Sequence, residues 1–181
     1  MPKFVALLRG INVGKAKRIP MAELRALMGE LGFTGIATLL NSGNAVFYAA
    51  SGTPARHANA IAAAIASRMA FDVPVIVKSA KELAAVVSGN PLGDAITNPS
   101  HFLVVFVQDA KTLPALDFIA PLVKPPEQFA IGTHAAYLHC TTGILDSKAG
   151  EALLSKAGQS TTTRNWATVH KLLALANEPG A

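Results

Sequence analysis

The order in which strand-like and helix-like runs alternate constrains the fold of this chain more than any other feature. The first run, KFVALL at 3–8, is almost wholly apolar, which predicts a strand buried on both faces. The runs that follow are a helix over 21–31, two strands within 36–48 around a Ser42–Gly43 turn, a helix from Thr53 to about 70 and a strand at 73–78. This β-α-β-β-α-β order is typical of a ferredoxin-like α/β plait.

The same order resumes after a turn-rich connector at 90–100. The predicted elements are a strand at 102–107, a helix at 112–122 capped by Thr112, a hairpin from 127–132 and 135–140, a helix at 146–157, a short strand near Thr161 and a helix from about Arg164 to Asn177. We therefore predict an α+β fold of two tandem ferredoxin-like plaits plus a C-terminal helix. Residues 1–89, ending in a helix with a Ser79–Glu82 capping box, would form the first subdomain and 90–181 the second.

The periodicity of these runs also predicts which side chains form the core. Apolar residues at helical spacing should face the sheets, and alternate or continuous apolar strand residues should be enclosed by them. The side chains that we expect to be buried on this basis are Leu7, Leu24, Leu27, Val46, Ile65, Val104 and Leu172.

Composition excludes several classes of protein. Half of the residues are hydrophobic, so the chain can build a core and is not expected to be disordered. A single cysteine, Cys140, rules out an intramolecular disulfide, and nothing in the cysteine content suggests an oxidising compartment. No secretory signal is visible, and no stretch approaches the roughly 20 apolar residues of a membrane helix. We expect a cytoplasmic protein with no membrane partner.

Positive charge is concentrated at one end of the chain. Residues 1–18 carry five cations and no acidic residue, whereas the remainder carries eleven of each sign. A protein that coats a long nucleic acid usually spreads its charge along a face or a helix. A local surplus better suits a small anion or a short stretch of phosphate backbone.

The cations lie in a loop with the features of an anion site. This basic loop, residues 9–18, contains two glycines and is followed by Ile19 where a helix cap would be expected, so the first N–H groups of the next helix lack a side-chain acceptor. No P-loop or dinucleotide-binding fingerprint is present. The alternative is a solvated basic loop. The candidate ligand-binding residues here are Arg9, Asn12, Lys15, Lys17 and Arg18.

Two further stretches offer polar groups. Ser42 and Asn44 lie at a hairpin tip, where such residues also occur for conformational reasons alone. Arg164 and Asn165 are predicted to lie in the first turn of the last helix, capped by Thr163, and the arginine would oppose the helix dipole there. The alternative for Arg164 is a surface ion pair. We hypothesise that the basic loop and this helix start share one anion pocket, with the hairpin tip as a third wall.

The sequence gives no pattern for a metal, a cofactor or a catalytic group. The five histidines show no spacing with acids or cysteine that suits a metal, and no carboxylate pair or Ser-His-Asp arrangement can be argued from local sequence. We therefore expect no metal and no cofactor, and whether the protein is an enzyme is left open.

Several of these stretches resemble the bacterial family called domain of unknown function 1697. The resemblance is carried in order by LLRGINVG (7–14), MAELRALMGELGF (21–33), LNSGNAVF (40–47), NPL (90–92) and TRNWATVHKL (163–172). It implies two α/β-plait subdomains, in agreement with the pattern of elements. It implies no activity, substrate or catalytic residue.

Three functions compete at this point. The clustered cations favour a protein that binds a small phosphate- or carboxylate-bearing ligand, with or without catalysis. A non-catalytic interaction module is the second candidate, because the plait fold also serves that role. Nucleic-acid binding ranks third, because the strands lack the aromatic and basic pattern with which plait-fold RNA modules stack bases.

Overall fold

The strand-like runs form two four-stranded antiparallel sheets in the computed structural model, which describes residues 1–180. The strands are β1 (Lys3–Leu8), β2 (Thr34–Leu39), β3 (Asn44–Tyr48), β4 (Val75–Ser79), β5 (Phe102–Val107), β6 (Gln128–Ile131), β7 (Ala136–His139) and β8 (Thr161–Asn165). The α-helices are α1 (Met21–Glu30), α2 (Pro54–Met69), α3 (Ala80–Ser88), α4 (Lys148–Leu154) and α5 (Trp166–Asn177). The mixed α+β class and the two antiparallel sheets are confirmed.

Each sheet places its most apolar strand in the interior. The first has the order β2-β3-β1-β4, and the second has the order β6-β7-β5-β8. Strand β1 pairs with both β3 and β4, so Leu7 lies opposite Asn44 on one side and Ile76 on the other. A strand with two neighbours and both faces covered cannot expose polar side chains to water, which explains the continuous apolar runs of β1 and β5.

The chain divides into two units, each with its own core. The first comprises 1–83 with 172–181, and the second comprises 84–171. In the first, side chains of α1 and α2 pack on one face of the sheet, around Phe4 and Phe47. In the second, Leu103, Val105 and Val107 of β5 form the core with apolar side chains of the following segments. All seven side chains predicted to be core are buried, namely Leu7, Leu24, Leu27, Val46, Ile65, Val104 and Leu172.

The last helix contributes to the first unit. Its C-terminal half belongs there together with β1, and the Lys3 ammonium donates hydrogen bonds to the carbonyls of Leu175 (2.6 Å) and Glu178 (2.9 Å). A cation that binds the final carbonyls of a helix satisfies acceptors that have no intrahelical partner. The predicted subdomain bounds, 1–89 and 90–181, stay a prediction.

Two helix starts follow the predicted capping chemistry. The Thr53 hydroxyl accepts a hydrogen bond from the Arg56 N–H at 3.2 Å, with Pro54 as the first helical residue of α2. Before α3, the Ser79 N–H donates to the Glu82 carboxylate (2.7 Å) and the Glu82 N–H donates to the Ser79 hydroxyl (3.1 Å). This reciprocal pair is the predicted capping box.

The predicted helix at 112–122 is present, but its type and its cap differ from the prediction. The segment Ala110–Leu122 is a 3-10 helix, and Asp109 rather than Thr112 caps it by accepting from the Lys111 N–H. Pro114 and Pro121 lie inside the segment, and each removes an N–H that an α-helix would need. The helix predicted at 146–157 is also shorter, because α4 ends at Leu154 before a separate 3-10 turn at Lys156–Gly158.

The placement of Arg164 in the first turn of a helix is wrong as well. Arg164 lies in β8, opposite Val104 of β5, and α5 begins only at Trp166. Three consecutive β-branched threonines precede it, and such residues favour the pleated, half-buried surface of a sheet. Within residues 1–180, none of the helices has the length and apolar character needed to cross a bilayer.

Candidate functional site

The basic loop has a folded, specific backbone. Asn12 and Lys17 both have positive φ, 55° and 50°, a conformation that Asn tolerates better than most residues. The two are joined, because the Asn12 N–H donates to the Lys17 carbonyl at 3.1 Å. The Lys17 ammonium in turn donates to the carbonyl of Asp72 at 2.9 Å. These bonds connect the two ends of the loop and attach it to the segment before β4.

The Asn12 side chain fastens the loop to its surroundings. Its Nδ2 donates to the carbonyls of Ile19 (2.9 Å) and Asn41 (2.7 Å), and its Oδ1 accepts from the Ile19 N–H at 2.8 Å. Asn41 belongs to the hairpin tip, residues 40–43 between β2 and β3. One amide therefore connects the start of the basic loop, its end and the hairpin tip.

A small concavity lies where these segments meet. It has a volume of about 250 Å³ and is lined by Asn12, Arg18, Ile19, Pro20 and Asn41. Ligand pockets for drug-sized molecules usually exceed about 300 Å³, so this space suits a small group such as a phosphate or a carboxylate.

The concavity lies at the N-terminus of α1. Pro20 is the N-cap, with φ −60° and ψ 139°, and no side chain of the described part of the chain caps the helix. The predicted absence of a side-chain cap is confirmed, although Pro20 is the cap residue itself and not the first helical residue. Uncapped N–H groups at a helix start attract anions. Glu23, in the first turn, supplies one negative charge nearby.

The cations of the loop differ in their environment. Lys15, Lys17 and Arg18 are exposed, and Arg18 donates to the carbonyls of Asn12 (3.4 Å) and Gly14 (3.2 Å), which braces the loop. Arg9 is half-buried, and desolvation by this burial lowers the pKa of its guanidinium. Lys15 is the exposed loop cation for which the described residues supply no hydrogen bond, so it is the one best able to meet a ligand.

The hairpin tip is built by close packing and by its own polar groups. The buried Asn44 side chain donates to the Leu39 carbonyl (2.9 Å) and to the Ser42 hydroxyl (3.0 Å), which closes the turn. Gly43 has φ 90°, and a Cβ there would lie 2.6 Å from the Cβ of Leu8. A glycine is therefore required for the tip to approach the end of β1. These bonds of Ser42 and Asn44 agree with the conformational alternative for both residues.

Arg164 is a buried strand residue, only 8% exposed. Its guanidinium donates at 2.8 Å to both the Thr162 hydroxyl and the Thr163 carbonyl, and burial lowers its pKa to about 10. The Oδ1 of Asn165 accepts from the Thr168 N–H at 2.9 Å, so Asn165, and not Thr163, serves the start of α5. Because Arg164 lies in β8 and not in the first turn of α5, the predicted conflict between its charge and the helix dipole does not arise in that form.

The predicted site residues therefore fall into two groups. The structure brings Asn12, Arg18 and the hairpin tip together within the first unit. Arg164 and Asn165 belong to the second unit. The hypothesis that the two groups share one pocket stays a prediction.

Sequence reasoning missed Asn41 and Pro20 as lining residues of the concavity. Asn41 lies in the turn between β2 and β3 and Pro20 directly precedes α1, and only the fold brings the two together. Elsewhere, residues 1–180 contain no group of three or more His, Cys, Asp or Glu side chains placed to hold a metal ion. Cys140 is buried, and desolvation raises the pKa of its thiol to about 11, which disfavours the reactive thiolate.

Fold and site together define an α+β protein with two antiparallel sheets and a basic loop at the start of its first helix. The family model described as "Protein of unknown function (DUF1697)" matches residues 1–137, and the chain belongs to this family. The family resemblance expected from the sequence is confirmed. No protein in the curated set matches the chain.

A solved structure has the same fold over almost the whole chain. It is the conserved bacterial protein SP0830 from Streptococcus pneumoniae, with a TM-score of 0.80 and 21% sequence identity. The match covers 97% of this chain and 99% of that one. At this level of identity the likeness shows the fold alone.

Proposed function

We propose that the protein binds a small phosphate- or carboxylate-bearing ligand at the basic loop. The observation that carries the proposal is the 250 Å³ concavity beside Arg18, which opens at the uncapped start of α1. Backbone N–H groups of a helix start and a guanidinium are complementary to an anion. The exposed ammonium of Lys15, on the same braced loop, adds long-range attraction.

The proposal treats the loop of the first unit as the primary site. Asn12 holds the lining together, Asn41 lines the concavity, and Lys15 and Lys17 supply positive charge from the same loop. Arg9, Ser42, Asn44, Arg164 and Asn165 remain candidates of the wider hypothesis, in which a second wall completes the pocket. The ligand would bind in the cytoplasm, and a catalytic role is not part of the proposal.

We further propose that each unit is a ferredoxin-like plait. The support is the strand order, in which the first and third strands of each unit are central and adjacent. In the first unit, α1 follows β1 and α2 follows β3, as the plait requires. In the second unit the first crossover is the 3-10 segment Ala110–Leu122, which makes that plait irregular.

Stabilisation by ligands tests the anion-binding proposal. The melting temperature of the protein should rise with inorganic phosphate, a nucleotide or a dicarboxylate, by an amount set by the ratio of concentration to Kd. Single-stranded RNA serves as the comparison. Tight, salt-sensitive RNA binding without any effect of small anions would favour nucleic-acid binding, and no response to any probe would favour the interaction module.

Substitutions locate the site. Lys15→Ala and Asn41→Ala should each weaken the stabilisation by the effective anion at least about threefold in apparent Kd, because the first removes a charge of the basic loop and the second removes the amide of a residue that lines the concavity. Lys111→Ala, at an exposed lysine of the second unit, is the matched control. Arg164→Ala is a poor test, because it removes a buried side chain and should itself destabilise the fold. The proposal fails if the control weakens binding as much as Lys15→Ala does.

A further inference from the structure

Two large aliphatic side chains are exposed to solvent next to Asn12 and Asn41, the two residues that the Asn12 amide joins by a hydrogen bond. Val13 is 75% exposed and Leu40 is 56% exposed. Val13 directly follows Asn12 in the basic loop, and Leu40 directly precedes Asn41 in the hairpin tip. The hydrogen bond from Asn12 Nδ2 to the Asn41 carbonyl therefore joins the two segments that carry these apolar residues.

The backbone that carries these side chains has a defined conformation held by hydrogen bonds. This argues against accidental exposure on a mobile loop. Leu40 has φ 59°, an unfavourable conformation for a leucine, and the adjacent Asn41 carbonyl accepts the hydrogen bond from Asn12 Nδ2. The chain thus holds a leucine in a strained conformation at a position where its side chain contacts little of the protein. Strain at an exposed apolar residue is a sign of a binding surface.

The surroundings of the two side chains are cationic. Lys15, Lys17 and Arg18 are exposed in the same loop, and residues 1–18 contain no acidic residue. Asp72 contacts the loop through its backbone carbonyl, which accepts from Lys17, and Glu23 lies in the first turn of α1 just beyond the loop. Exposed aliphatic side chains within a ring of cations complement a surface whose outer layer is anionic and whose inner layer is hydrocarbon.

The chemistry of the side chains distinguishes among partners. Single-stranded nucleic acids are held by aromatic stacking, and Val13 and Leu40 cannot stack on bases. Protein interfaces are anchored mainly by Trp, Tyr and Arg in pockets of the partner. Lipid headgroups accept Lys and Arg while aliphatic side chains enter the acyl layer, so an anionic bilayer surface fits best.

We propose that the basic loop and the hairpin tip form a peripheral docking surface for anionic phospholipid bilayers. The cations contact the headgroup phosphates, and Val13 and Leu40 enter the boundary of the acyl layer. The expectation of no membrane partner rested on the lack of a spanning stretch, which has no bearing on surface docking. The inference goes beyond binding of a small anion and does not need the concavity to be occupied.

Vesicle sedimentation with the full chain tests the inference. The protein should sediment with vesicles of phosphatidylglycerol and phosphatidylcholine but not with phosphatidylcholine alone, and salt should weaken the binding. Lys15→Ala/Lys17→Ala should reduce the partition coefficient about fivefold for each charge removed. The matched charge control is Lys111→Ala/Lys124→Ala, which removes two exposed lysines of the second unit.

Substitution of the two apolar residues distinguishes docking on the bilayer from simple charge attraction. Val13→Ser/Leu40→Ser should reduce partitioning about tenfold or more, whereas Leu145→Ser/Leu154→Ser, with 83% and 49% exposure, should leave it unchanged. The Val13/Leu40 variant should keep the stabilisation by inorganic phosphate, because neither residue lines the concavity.

Each remaining outcome overturns the inference. Stabilisation by phosphate without vesicle binding would leave the small-anion function standing and reject docking. Vesicle binding that is insensitive to Val13→Ser/Leu40→Ser would reduce the effect to non-specific electrostatics. Preferential binding of single-stranded RNA over anionic vesicles would assign the surface to nucleic acid instead.

Discussion

At the residue scale, Asn12 has the greatest influence on the site. Its side chain makes three hydrogen bonds, and its backbone adopts a conformation that few non-glycine residues tolerate. Both requirements are met by asparagine, whose short amide can bond locally while the chain turns. The basic loop and the hairpin tip therefore depend on one residue for their relative position.

Asn12→Ala should lower the free energy of unfolding by about 2–4 kcal/mol, because it removes the three bonds and strains the backbone. Asn12→Gly should cost about 1 kcal/mol less, since glycine relieves the backbone strain. Urea denaturation measures both. Asn59→Ala, at an exposed position within α2, is the control and should be neutral or slightly stabilising. Equal costs for Asn12→Ala and Asn59→Ala would contradict the role assigned to Asn12.

His57 is the residue whose environment predicts a response to pH. The residue is 5% exposed, and its ring lies within 6 Å, centroid to centroid, of the rings of Phe4, Phe33 and Phe47. Its Nε2 has no hydrogen-bond partner among residues 1–180. Burial first, and then the charge of Arg56, lower the pKa of this imidazole below its ordinary value. The folded protein therefore disfavours the protonated ring.

A histidine pKa that is lower in the folded state than in the unfolded state gives stability that is present above about pH 6.5 and is lost as the pH falls toward the folded pKa. We expect the urea midpoint to decrease between about pH 7 and pH 5. His57→Leu should flatten this part of the profile, whatever its cost in stability at neutral pH. His134→Gln, at an exposed position, controls for the loss of an imidazole. An unchanged slope in His57→Leu would show that other groups cause the acid loss.

At the scale of elements, apolar periodicity is decisive where a helix packs on a sheet. Helix α1 is of modest length and receives no side-chain cap from the residues that the structure describes, so most of its stability must come from burying Leu24, Leu27 and Met28. In Ala110–Leu122 the apolar pattern is also present, but two prolines change the hydrogen bonding and a 3-10 helix results. The pattern of apolar residues predicts that an element packs on a sheet. The backbone N–H groups that are available for hydrogen bonding decide whether it forms an α-helix or a 3-10 helix.

Leu24→Ala should cost about 2–5 kcal/mol in the free energy of unfolding, because Leu24 is fully buried in the first core. Leu31→Ala, at the 37% exposed C-cap of the same helix, is the matched control and should cost less than about 1 kcal/mol. Denaturation by urea, with the slope of the transition unchanged, distinguishes the two. A cost below about 1 kcal/mol for Leu24→Ala would mean that α1 contributes little to the core.

At the scale of the whole molecule, the first unit is discontinuous in sequence. Residues 172–181 return to it after the second unit is complete, and Lys3 bonds the end of α5. Leu172 and Ala176 are buried. The C-terminal residues therefore matter to the stability of the N-terminal unit, although more than 80 residues separate them in the chain.

A chain that ends at Lys171 should lose about 3 kcal/mol or more from the first unit, because it lacks the buried Leu172 and the carbonyls that Lys3 binds. Hydrogen exchange should show faster opening at β1 and β3 than in the full chain, with a smaller change at β5 and β7. A chain that ends at Glu178 keeps these contacts and serves as the control. Loss of protection at β5 and β7 alone would contradict the assignment of this segment.

The sequence by itself determined the elements whose formation depends on local physics. Apolar runs and their periods predicted seven of the eight strands and the seven core residues, whereas the short strand predicted near Thr161 is polar. Short-range hydrogen bonding predicted the caps at Thr53 and at Ser79 with Glu82. It also located the basic loop, because charge is a property of composition. These features depend on contacts between residues close together in the chain.

Only the tertiary structure decided the features that depend on distant residues. Arg164 was placed in a helix because Thr163 was interpreted as the cap of the last helix, yet pairing with β5 places Arg164 in a buried strand. The concavity required Asn41 to meet Asn12, and the first unit required the end of α5 to meet β1. Sequence patterns record the preference of a residue for its neighbours along the chain, whereas a site depends on partners that folding brings from elsewhere.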